Sequence, residues 1–406
     1  MCDPGNIKEN LNGILKSVAE KLNIENYELV PDETGNYGDG FASHFYTGQV
    51  KNKDTGKIIN VAIKKSPSSK EVDFSGLFRS EIAFYKEVFP RLSSLQKEHP
   101  TLSKPFVNIP EYFCSQPPPL TYIAMENLQP LGYTMYDKAK TLDPSHLKLI
   151  FTVYGRFHAC SFVLKEQNPE GYKELTDKIV DEFSKLLNIV IAQIESSFKG
   201  AFRNVHEETE KDLYEKTKNI PDNIKEVFLK AYNYDGKFDC IIHGDCWSNN
   251  MLFKYTCENE LEDLKLIDFQ LLRTSTPVHD LSSIFYSGAS KKDFDKLTEY
   301  LQVYYKSFEE TCKGMGVDAH KIFPFEKLIE EWKKNALFGV LMGIYLWNMK
   351  LLPKERFQFL VKDPDMPKEK KKQIWKDMME EMYRSEGYQE KTKAILVHAV
   401  EFGILD

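Results

Sequence analysis

Hydrophobic and polar positions in the first third of the chain follow two different periods. Residues 37–66 contain two β-rich runs on either side of the polar turn KNKDTGK, which predicts a β-hairpin. Residues 78–95 instead place apolar side chains at helical spacing, and Pro90 is expected to kink or interrupt that helix. A β-like run returns at residues 120–128. Together these elements predict a small antiparallel sheet with one main helix packed on it.

The pattern in the rest of the chain is mainly helical. Long segments with helical periodicity begin at residues 146–164, and residues 129–144, with two prolines, are expected to form the connection. The longest apolar run, at 339–347, is about half of the ~20 residues that cross a bilayer, so it predicts a buried helix. The sequence therefore predicts an α+β protein with an amino-terminal lobe at residues 1–127 and a large, mostly helical lobe at residues 128–406.

Composition and charge narrow the possible functions. Hydrophobic residues make up 42% and charged residues 28% of the chain, as in ordinary globular proteins. The net charge of −7 lacks the basic excess that attracts nucleic acid. Seven cysteines without a C-x-x-C pair favour reduced thiols in an intracellular compartment. The amino terminus lacks the apolar stretch of a signal peptide, so we expect a cytoplasmic protein. We also expect no membrane span, and no obligate protein partner is predicted.

The strongest chemical signal is the stretch CIIHGDCWSNNMLF at residues 240–253. It places Asp245 and Asn250 five residues apart in a loop that apolar runs tie to buried strands. Such a loop can hold a carboxylate beside a hydroxyl nucleophile while the carboxamide oxygen binds a metal, a pairing that phosphoryl transfer uses. The spacing matches the protein-kinase loop H-R-D-x-x-x-x-N, except that Gly244 replaces the arginine. The alternative is an aspartate-stabilised turn between two strands.

A second aspartate follows in the stretch LKLIDF. Asp268 ends a β-run, where its carboxylate can reach into a cleft and bind a magnesium ion that bridges phosphate oxygens. Its alternative role is to cap the chain after the strand. Asp245, Asn250 and Asp268 occur in kinase order, with the aspartates 23 positions apart, and this favours the catalytic interpretation.

A kinase also needs a lysine for the phosphates of ATP and a carboxylate that orients the lysine. Lys64 stands in a V-A-I-K context, and Glu81 follows 17 residues later near the start of the predicted helix. Lys65, on the opposite face of the strand, is the alternative phosphate contact.

Glycines before the first strand run are candidates for phosphate binding, because they let the backbone approach a nucleotide closely. Their spacing is not G-x-G-x-x-G, so an ordinary turn is the alternative. The residues predicted to contact the nucleotide here are Gly38, Gly40, Phe41, Ala42 and Ser43.

Other polar and aromatic residues receive structural interpretations. His243 is expected to bond to the backbone, and His158 to be satisfied within the helical lobe. Asp280 is interpreted as a helix N-cap, with bracing of the catalytic loop as the alternative. A set at helical spacing predicts core packing, with an aromatic wall for a bulky substrate as the minority interpretation: Phe338, Met342, Tyr345 and Met349.

Several stretches resemble a known family, the ecdysteroid-kinase-like group of insect small-molecule kinases, which is related to choline kinases and aminoglycoside phosphotransferases. They are HGDCWSNNMLFKY, LKLIDFQLLRTSTPVHDLSSIFY, IAMENLQPLGYTMYDKAKTLD and VYGRFHACSFVLK, within residues 30–350. The resemblance implies a two-lobed protein-kinase-like fold that uses ATP and Mg. It also implies roles: Asp245 as catalytic base, Asn250 and Asp268 as metal ligands, Lys64 and Glu81 as the phosphate-positioning pair, and Glu126, Asn127 and Leu128 as the segment that meets adenine.

Three classes of function follow from these features. The leading one is a Mg-ATP-dependent kinase for a hydroxyl group of a small lipophilic molecule, such as an ecdysteroid or a hydroxylated xenobiotic. A choline-type or aminoglycoside-type kinase is the second, and its cationic substrate would need acidic and aromatic groups. The third is a catalytically inactive binding protein, a scaffold or a small-molecule sink. It is disfavoured because a competent residue fills every candidate position.

Overall fold

The computed structural model of the protein describes residues 4–37, 43–66, 74–117, 121–352 and 366–405. The strands of the amino-terminal part are β1 (Tyr27–Tyr37), β2 (His44–Asn52), β3 (Ile58–Lys65), β4 (Tyr112–Gln116) and β5 (Tyr122–Glu126). They form one five-stranded sheet in the order β1-β2-β3-β5-β4, and all neighbouring strands are antiparallel.

The sheet confirms the strands predicted from the sequence. The predicted hairpin is β2 and β3, whose register runs from His44 opposite Lys65 to Lys51 opposite Ile58. The β-like run at residues 120–128 contains β5. β1 and β4 complete the sheet and lie outside the predicted strands, because their pairing is set by neighbours rather than by their own pattern.

Three helices pack with this sheet. They are α1 (Pro4–Lys21), α2 (Ser75–Ala83) and α3 (Phe89–Lys97). The apolar face of α1 shares a core with the sheet, and this contact is close: a Cβ atom at Gly48 of β2 would lie 2.9 Å from a methyl group of Leu15. The glycine therefore lets α1 lie directly on the strand.

The break predicted at Pro90 is present as a widened helical turn. Between α2 and α3, residues Phe84–Val88 form a π-helix, and the Phe89 amide donates to the Phe84 carbonyl five residues earlier. Proline lacks an amide hydrogen, so regular hydrogen bonding cannot pass through this position. The wide turn accommodates Pro90, and helical structure resumes in α3.

The carboxyl-terminal part is mostly helical, as predicted. Its helices are α4 (Pro144–Gln167), α5 (Pro169–Thr176), α6 (Phe183–Phe202), α7 (Lys211–Thr217), α8 (Ile220–Tyr232), α9 (Pro277–Gly288), α10 (Lys291–Phe294), α11 (Leu297–Gly314), α12 (Ala319–Ile322), α13 (Phe325–Asn335), α14 (Leu337–Leu351), α15 (Lys368–Tyr383) and α16 (Glu386–Glu401). Its strands are β6 (Tyr133–Met135), β7 (Cys240–Ile242), β8 (Met251–Tyr255), β9 (Leu261–Leu266) and β10 (Arg273–Ser275). They form the small sheets β6-β8-β9 and β7-β10. These elements confirm the predicted α+β class, with an antiparallel sheet in the amino-terminal part and a mostly helical remainder.

Helix α4 is the centre of the helical part. It is long and apolar enough to span a bilayer, but 78% of its most apolar stretch is buried inside the protein. A Cβ atom at Gly155 would lie 2.6 Å from the Tyr304 carbonyl, so α4 and α11 are in close backbone contact. The apolar run at residues 339–347 lies within α14 and is buried, as predicted.

Hydrogen bonds cross the boundary that the sequence predicts between residues 127 and 128. The Asn108 side chain donates to the Leu264 carbonyl of β9 at 2.8 Å, and the Asn108 carbonyl accepts from the Leu266 amide at 2.8 Å. The amino-terminal part is therefore fastened to a strand of the other part, and the division into two lobes at this point stays a prediction.

His398 on α16 is a buried histidine whose protonation opposes folding. It is 6% exposed, and its Nδ1 atom is 3.0 Å from the Tyr286 hydroxyl. Burial lowers its pKa from 6.5 to about 4. Between these two values the unfolded chain binds a proton that the folded protein does not bind, so the free energy of unfolding falls as the pH falls.

Replacing His398 with glutamine is expected to make stability less dependent on pH. Glutamine keeps hydrogen-bonding capacity but takes up no proton, so the loss of roughly 1.4 kcal/mol per pH unit from this group disappears. Urea denaturation of wild type and His398→Gln at pH 5, 6 and 7 measures the difference in slope. The exposed His206→Gln is the matched control and should run parallel to wild type; parallel curves for His398→Gln would contradict the interpretation.

Candidate functional site

Lys64 of β3 is the central buried charge of the site. It is 2% exposed, and its Nζ atom lies 2.6 Å from a carboxylate oxygen of Glu81 and 2.6 Å from one of Asp268. Lys65 is partly buried and, by strand alternation, points to the other face. Of the two candidate lysines, Lys64 is therefore the one that the fold brings to the two predicted carboxylates.

The charges of this cluster depend on each other. Burial opposes the charge on Lys64, but the adjacent Asp268 and Glu81 carboxylates outweigh it and raise the pKa of the ammonium group above its ordinary value. Burial raises the pKa of Glu81 to about 7, and the Lys64 ammonium opposes that rise. Because the ammonium lies at 2.6 Å from both carboxylates, the site holds a permanent positive charge between two acidic groups.

Asp245 and Asn250 lie together in the loop between β7 and β8. The Asn250 side-chain nitrogen donates to the Asp245 carboxylate at 2.8 Å and to its carbonyl at 2.9 Å. Burial raises the pKa of Asp245 to about 6, and the negative charge of Asp268 adds to the rise. The loop therefore presents a carboxylate that has a higher proton affinity than an ordinary aspartate.

Asp268 follows β9 and has a left-handed backbone conformation, with φ of 67°. The preceding residue, Ile267, donates its amide to the Asn250 carbonyl at 3.1 Å. The following residue, Phe269, stacks on Phe84 of the π-helical turn with ring centroids 3.5 Å apart. These contacts hold Asp268 between the helix that carries Glu81 and the loop that carries Asn250.

The oxygen atoms of Asn250 and Asp268 form a donor set that suits magnesium. Magnesium is bound through one or two carboxylates, substrate phosphates and water rather than by a complete protein cage. Within the described ranges, no group of three or more His, Cys, Asp or Glu side chains could hold a metal ion. A carboxylate and a carboxamide would supply two protein ligands, which would leave the remaining positions of such an ion to phosphate and water.

The predicted nucleotide contacts fall on two segments. Among the candidates of the glycine-containing stretch, Ser43 is buried immediately before β2. The remaining candidates lie outside the described residues: Gly38, Gly40, Phe41 and Ala42.

Two of the backbone amides at the end of β5 and just after it already donate hydrogen bonds within the protein. The Glu126 amide donates to the Glu111 carbonyl at 2.8 Å, and the Asn127 amide donates to the Asn60 carbonyl at 2.9 Å. Of the three amides predicted to lie near adenine, this leaves the amide of Leu128 as the candidate donor.

Asp280 does not cap its helix, so the N-cap interpretation is wrong. The cap of α9 is Thr276, and Asp280 lies inside the first turns of the helix. Its carboxylate is buried and accepts hydrogen bonds from the amides of His243 at 2.7 Å and Gly244 at 2.9 Å. The alternative, that Asp280 braces the loop that carries Asp245, is confirmed.

Two histidines complete the support of the loop, both in the structural roles predicted. His158 lies 3.3 Å from the Asp280 carboxylate and 3.2 Å from the Tyr304 hydroxyl. His243 bonds to the Ile267 carbonyl at 2.9 Å. Burial opposes ionisation of Asp280, but its bond to His158 and the loop amides hold the pKa of that carboxyl below its usual range.

Aromatic side chains lie next to Asp245. Tyr345 of α14 is close enough that burial and then the charge of Asp245 raise the pKa of its phenol to about 12. The Trp247 indole lies near the same carboxylate, and its interaction with Asp245 opposes the rise in the pKa of that carboxyl. Phe338 and Met342 are buried in the core, as predicted. The sequence interpretation missed Trp247, whose signal was its position two residues after Asp245.

Comparisons with known proteins identify the family of the chain. Among solved structures, an aminoglycoside 2'-phosphotransferase-IIIa in complex with GDP is 12% identical, with 92% of this chain and 98% of that chain covered and a TM-score of 0.42. An ethanolamine kinase from Plasmodium vivax is 14% identical, with 90% and 84% covered and a TM-score of 0.43. No curated protein was found to match. The model of the ecdysteroid kinase-like family matches residues 37–317, which is more than half of the chain, and the protein therefore belongs to the ecdysteroid kinase-like family.

Proposed function

We propose that the protein is a Mg-ATP-dependent kinase that phosphorylates a hydroxyl group of a small, largely apolar molecule. The observation that carries the proposal is the position of Asp268 between the predicted phosphate-positioning lysine and the predicted catalytic base. Asp268 contacts Lys64 directly and acts electrostatically on Asp245. Membership of a kinase family supports phosphotransferase activity. The acceptor, the cofactors and the roles of the residues are parts of the proposal.

Each side chain has a defined role in the proposed transfer. Lys64, held by Glu81, contacts phosphate oxygens of ATP, while Asn250 and Asp268 hold magnesium. When bound, the ion neutralises charge on the transferring phosphoryl group. Asp245 orients the substrate hydroxyl and accepts its proton, so that catalysis depends on positioning and electrostatics. The Leu128 amide is the proposed donor to adenine.

The surroundings of Asp245 support an apolar acceptor. Tyr345 and Trp247 provide ring surfaces beside the carboxylate. A flat ring system with hydroxyl groups, such as an ecdysteroid or a hydroxylated xenobiotic, fits these features. A role in detoxification follows if the acceptor is a foreign compound.

The same rings favour choline as a second candidate acceptor, because a quaternary ammonium group binds well to aromatic faces. Either acceptor is compatible with a cytoplasmic enzyme, which we propose because the described cysteines are all free thiols.

Phosphoryl transfer to a panel of ecdysteroids, hydroxylated plant metabolites, choline and aminoglycosides tests the proposal. We expect a mass gain of one phosphate on at least one apolar member, and a loss of at least ~100-fold for Asp245→Asn, because the base can no longer accept the proton. Mass spectrometry gives the product. Phosphorylation of choline alone would select the second candidate, and a variant as active as wild type would remove Asp245 from its role.

Asp268→Asn is expected to abolish the stabilisation of the protein by Mg-ATP. Wild type at Mg-ATP concentrations about 100 times Kd should gain about 2.7 kcal/mol, since the ligand binds the folded state. Melting temperatures with and without Mg-ATP measure the gain. Asp263→Asn is the matched control, because Asp263 lies on β9 near Asp268 but bonds to Tyr133 and Asn108. An equal gain in Asp268→Asn would contradict the metal-binding role.

A further inference from the structure

The backbone at Gly244 leaves no room for a side chain. Gly244 has φ of +83°, and a Cβ atom there would lie 1.9 Å from the Leu271 carbonyl oxygen and 2.7 Å from a nitrogen of Arg273. Only glycine fits both the conformation and the space. The residue immediately before Asp245 is thus pressed against the segment that follows Asp268.

Arg273 is the side chain that meets this backbone. It is 3% exposed, and its Nη1 atom donates to the Gly244 carbonyl at 3.2 Å and more weakly to the Leu271 carbonyl at 3.5 Å. The Gly244 amide donates to Asp280 on the other side. The two peptide groups that flank Gly244 are therefore fixed separately, one by a buried carboxylate and one by a buried guanidinium.

The rest of the guanidinium group is enclosed by aromatic rings. Its central carbon lies 5.2 Å from the ring centre of Phe183, 5.3 Å from that of Tyr232 and 5.4 Å from that of Phe338. Its Nε and Nη2 atoms are buried without hydrogen-bond partners among the described residues. The rings come from α6, α8 and α14, and α14 also carries Tyr345.

Packing alone does not explain an arginine here. Burying a charge costs several kcal/mol, and an apolar side chain of similar volume in such a place is often neutral or stabilising. Cation–π contacts offset part of that cost but would not select a charged residue over methionine. The interaction that needs the arginine is its hydrogen bond to the Gly244 carbonyl.

We propose that Arg273 is a positioning residue for phosphoryl transfer: it fixes the Gly244 carbonyl and thereby the direction in which the next residue, Asp245, presents its carboxylate. The inference rests on the proposed function, because it assigns Arg273 an effect on the proposed base. It goes further by joining the catalytic loop to α6, α8 and α14 through one buried cation.

Kinetics of Arg273→Met and Arg273→Lys test this role. Methionine fills the aromatic enclosure but donates no hydrogen bond, so kcat should fall roughly 10- to 100-fold while KM for ATP stays close to wild type, since small misplacements of a reacting group have effects of this size. Lysine keeps a donor and a charge, and should recover part of kcat. In the double variant Arg273→Met with Asp280→Asn, the fold-loss in kcat should be smaller than the product of the two single losses. Both side chains act on the backbone at the same glycine, so their effects should not be independent.

Lys350→Met is the matched control. Lys350 is also buried, donates to the main-chain Ser287 carbonyl at 2.6 Å and lies 4.1 Å from the ring centre of Trp347. Among the described residues, Lys350 donates no hydrogen bond to the loop that carries Asp245, so the kcat of Lys350→Met should be that of wild type. An unchanged kcat in Arg273→Met would overturn the proposal. A lower melting temperature of Arg273→Met, with no recovery of kcat in Arg273→Lys, would also overturn the proposal, because it would indicate a purely structural role.

Hydrogen exchange separates failure of this inference from failure of the proposed function. If the wild type transfers no phosphate, the kinase proposal fails. The effect of Arg273 on the loop backbone can still be measured in peptides that span residues 243–250. Faster exchange there in Arg273→Met, with unchanged exchange in Lys350→Met, supports the positioning role. Unchanged exchange in both variants overturns it.

Discussion

The ion contacts of Lys64 are the interaction on which the rest of the site depends. A buried ammonium group is stable only if nearby groups compensate for its lost hydration, and the compensation here comes from two distant parts of the chain. Glu81 is supplied by the helix over the sheet, and Asp268 by the end of β9. Removing either carboxylate would take away one of the two contacts that hold the ammonium group, so the helix, the sheet and β9 are held in one arrangement by both contacts together.

A second buried charge stabilises the loop that carries Asp245 in a similar way. Asp280 is ionised inside the protein because two loop amides and His158 bond to its carboxylate. The charge on Lys64 arranges the side chains that would meet phosphate and metal, whereas the charge on Asp280 arranges the backbone that presents Asp245. The two networks meet where Ile267 bonds to Asn250.

The sequence predicted the elements that local pattern determines. The hairpin, the helix with its break at Pro90 and the placing of Asp245 and Asn250 in one loop all follow from spacing over a few residues. The Lys64–Glu81 pair follows from a motif that spans one strand and one helix. Motif order also predicted that Asp268 belongs to the site.

What the sequence could not predict depends on long-range contacts. β1 contains Pro31, Asp32 and Gly35, which disfavour strands, and its pairing with β2 overrides that preference. The role of Asp280 was uncertain because a helix start and a loop brace look alike until the loop, over thirty residues away, is in place. Arg273 gave no signal, since its partner Gly244 and its aromatic neighbours come from separate helices and loops.

The end of β9 links the two parts of the chain. The Leu266 amide bonds to Asn108 of the amino-terminal part, and the amide of Ile267, the next residue, bonds to Asn250 of the loop that carries Asp245. Two neighbouring residues at one strand end are thus bonded to different parts of the chain. A displacement of one part relative to the other would break these bonds, so the position of Asp268, the next residue, is tied to both parts.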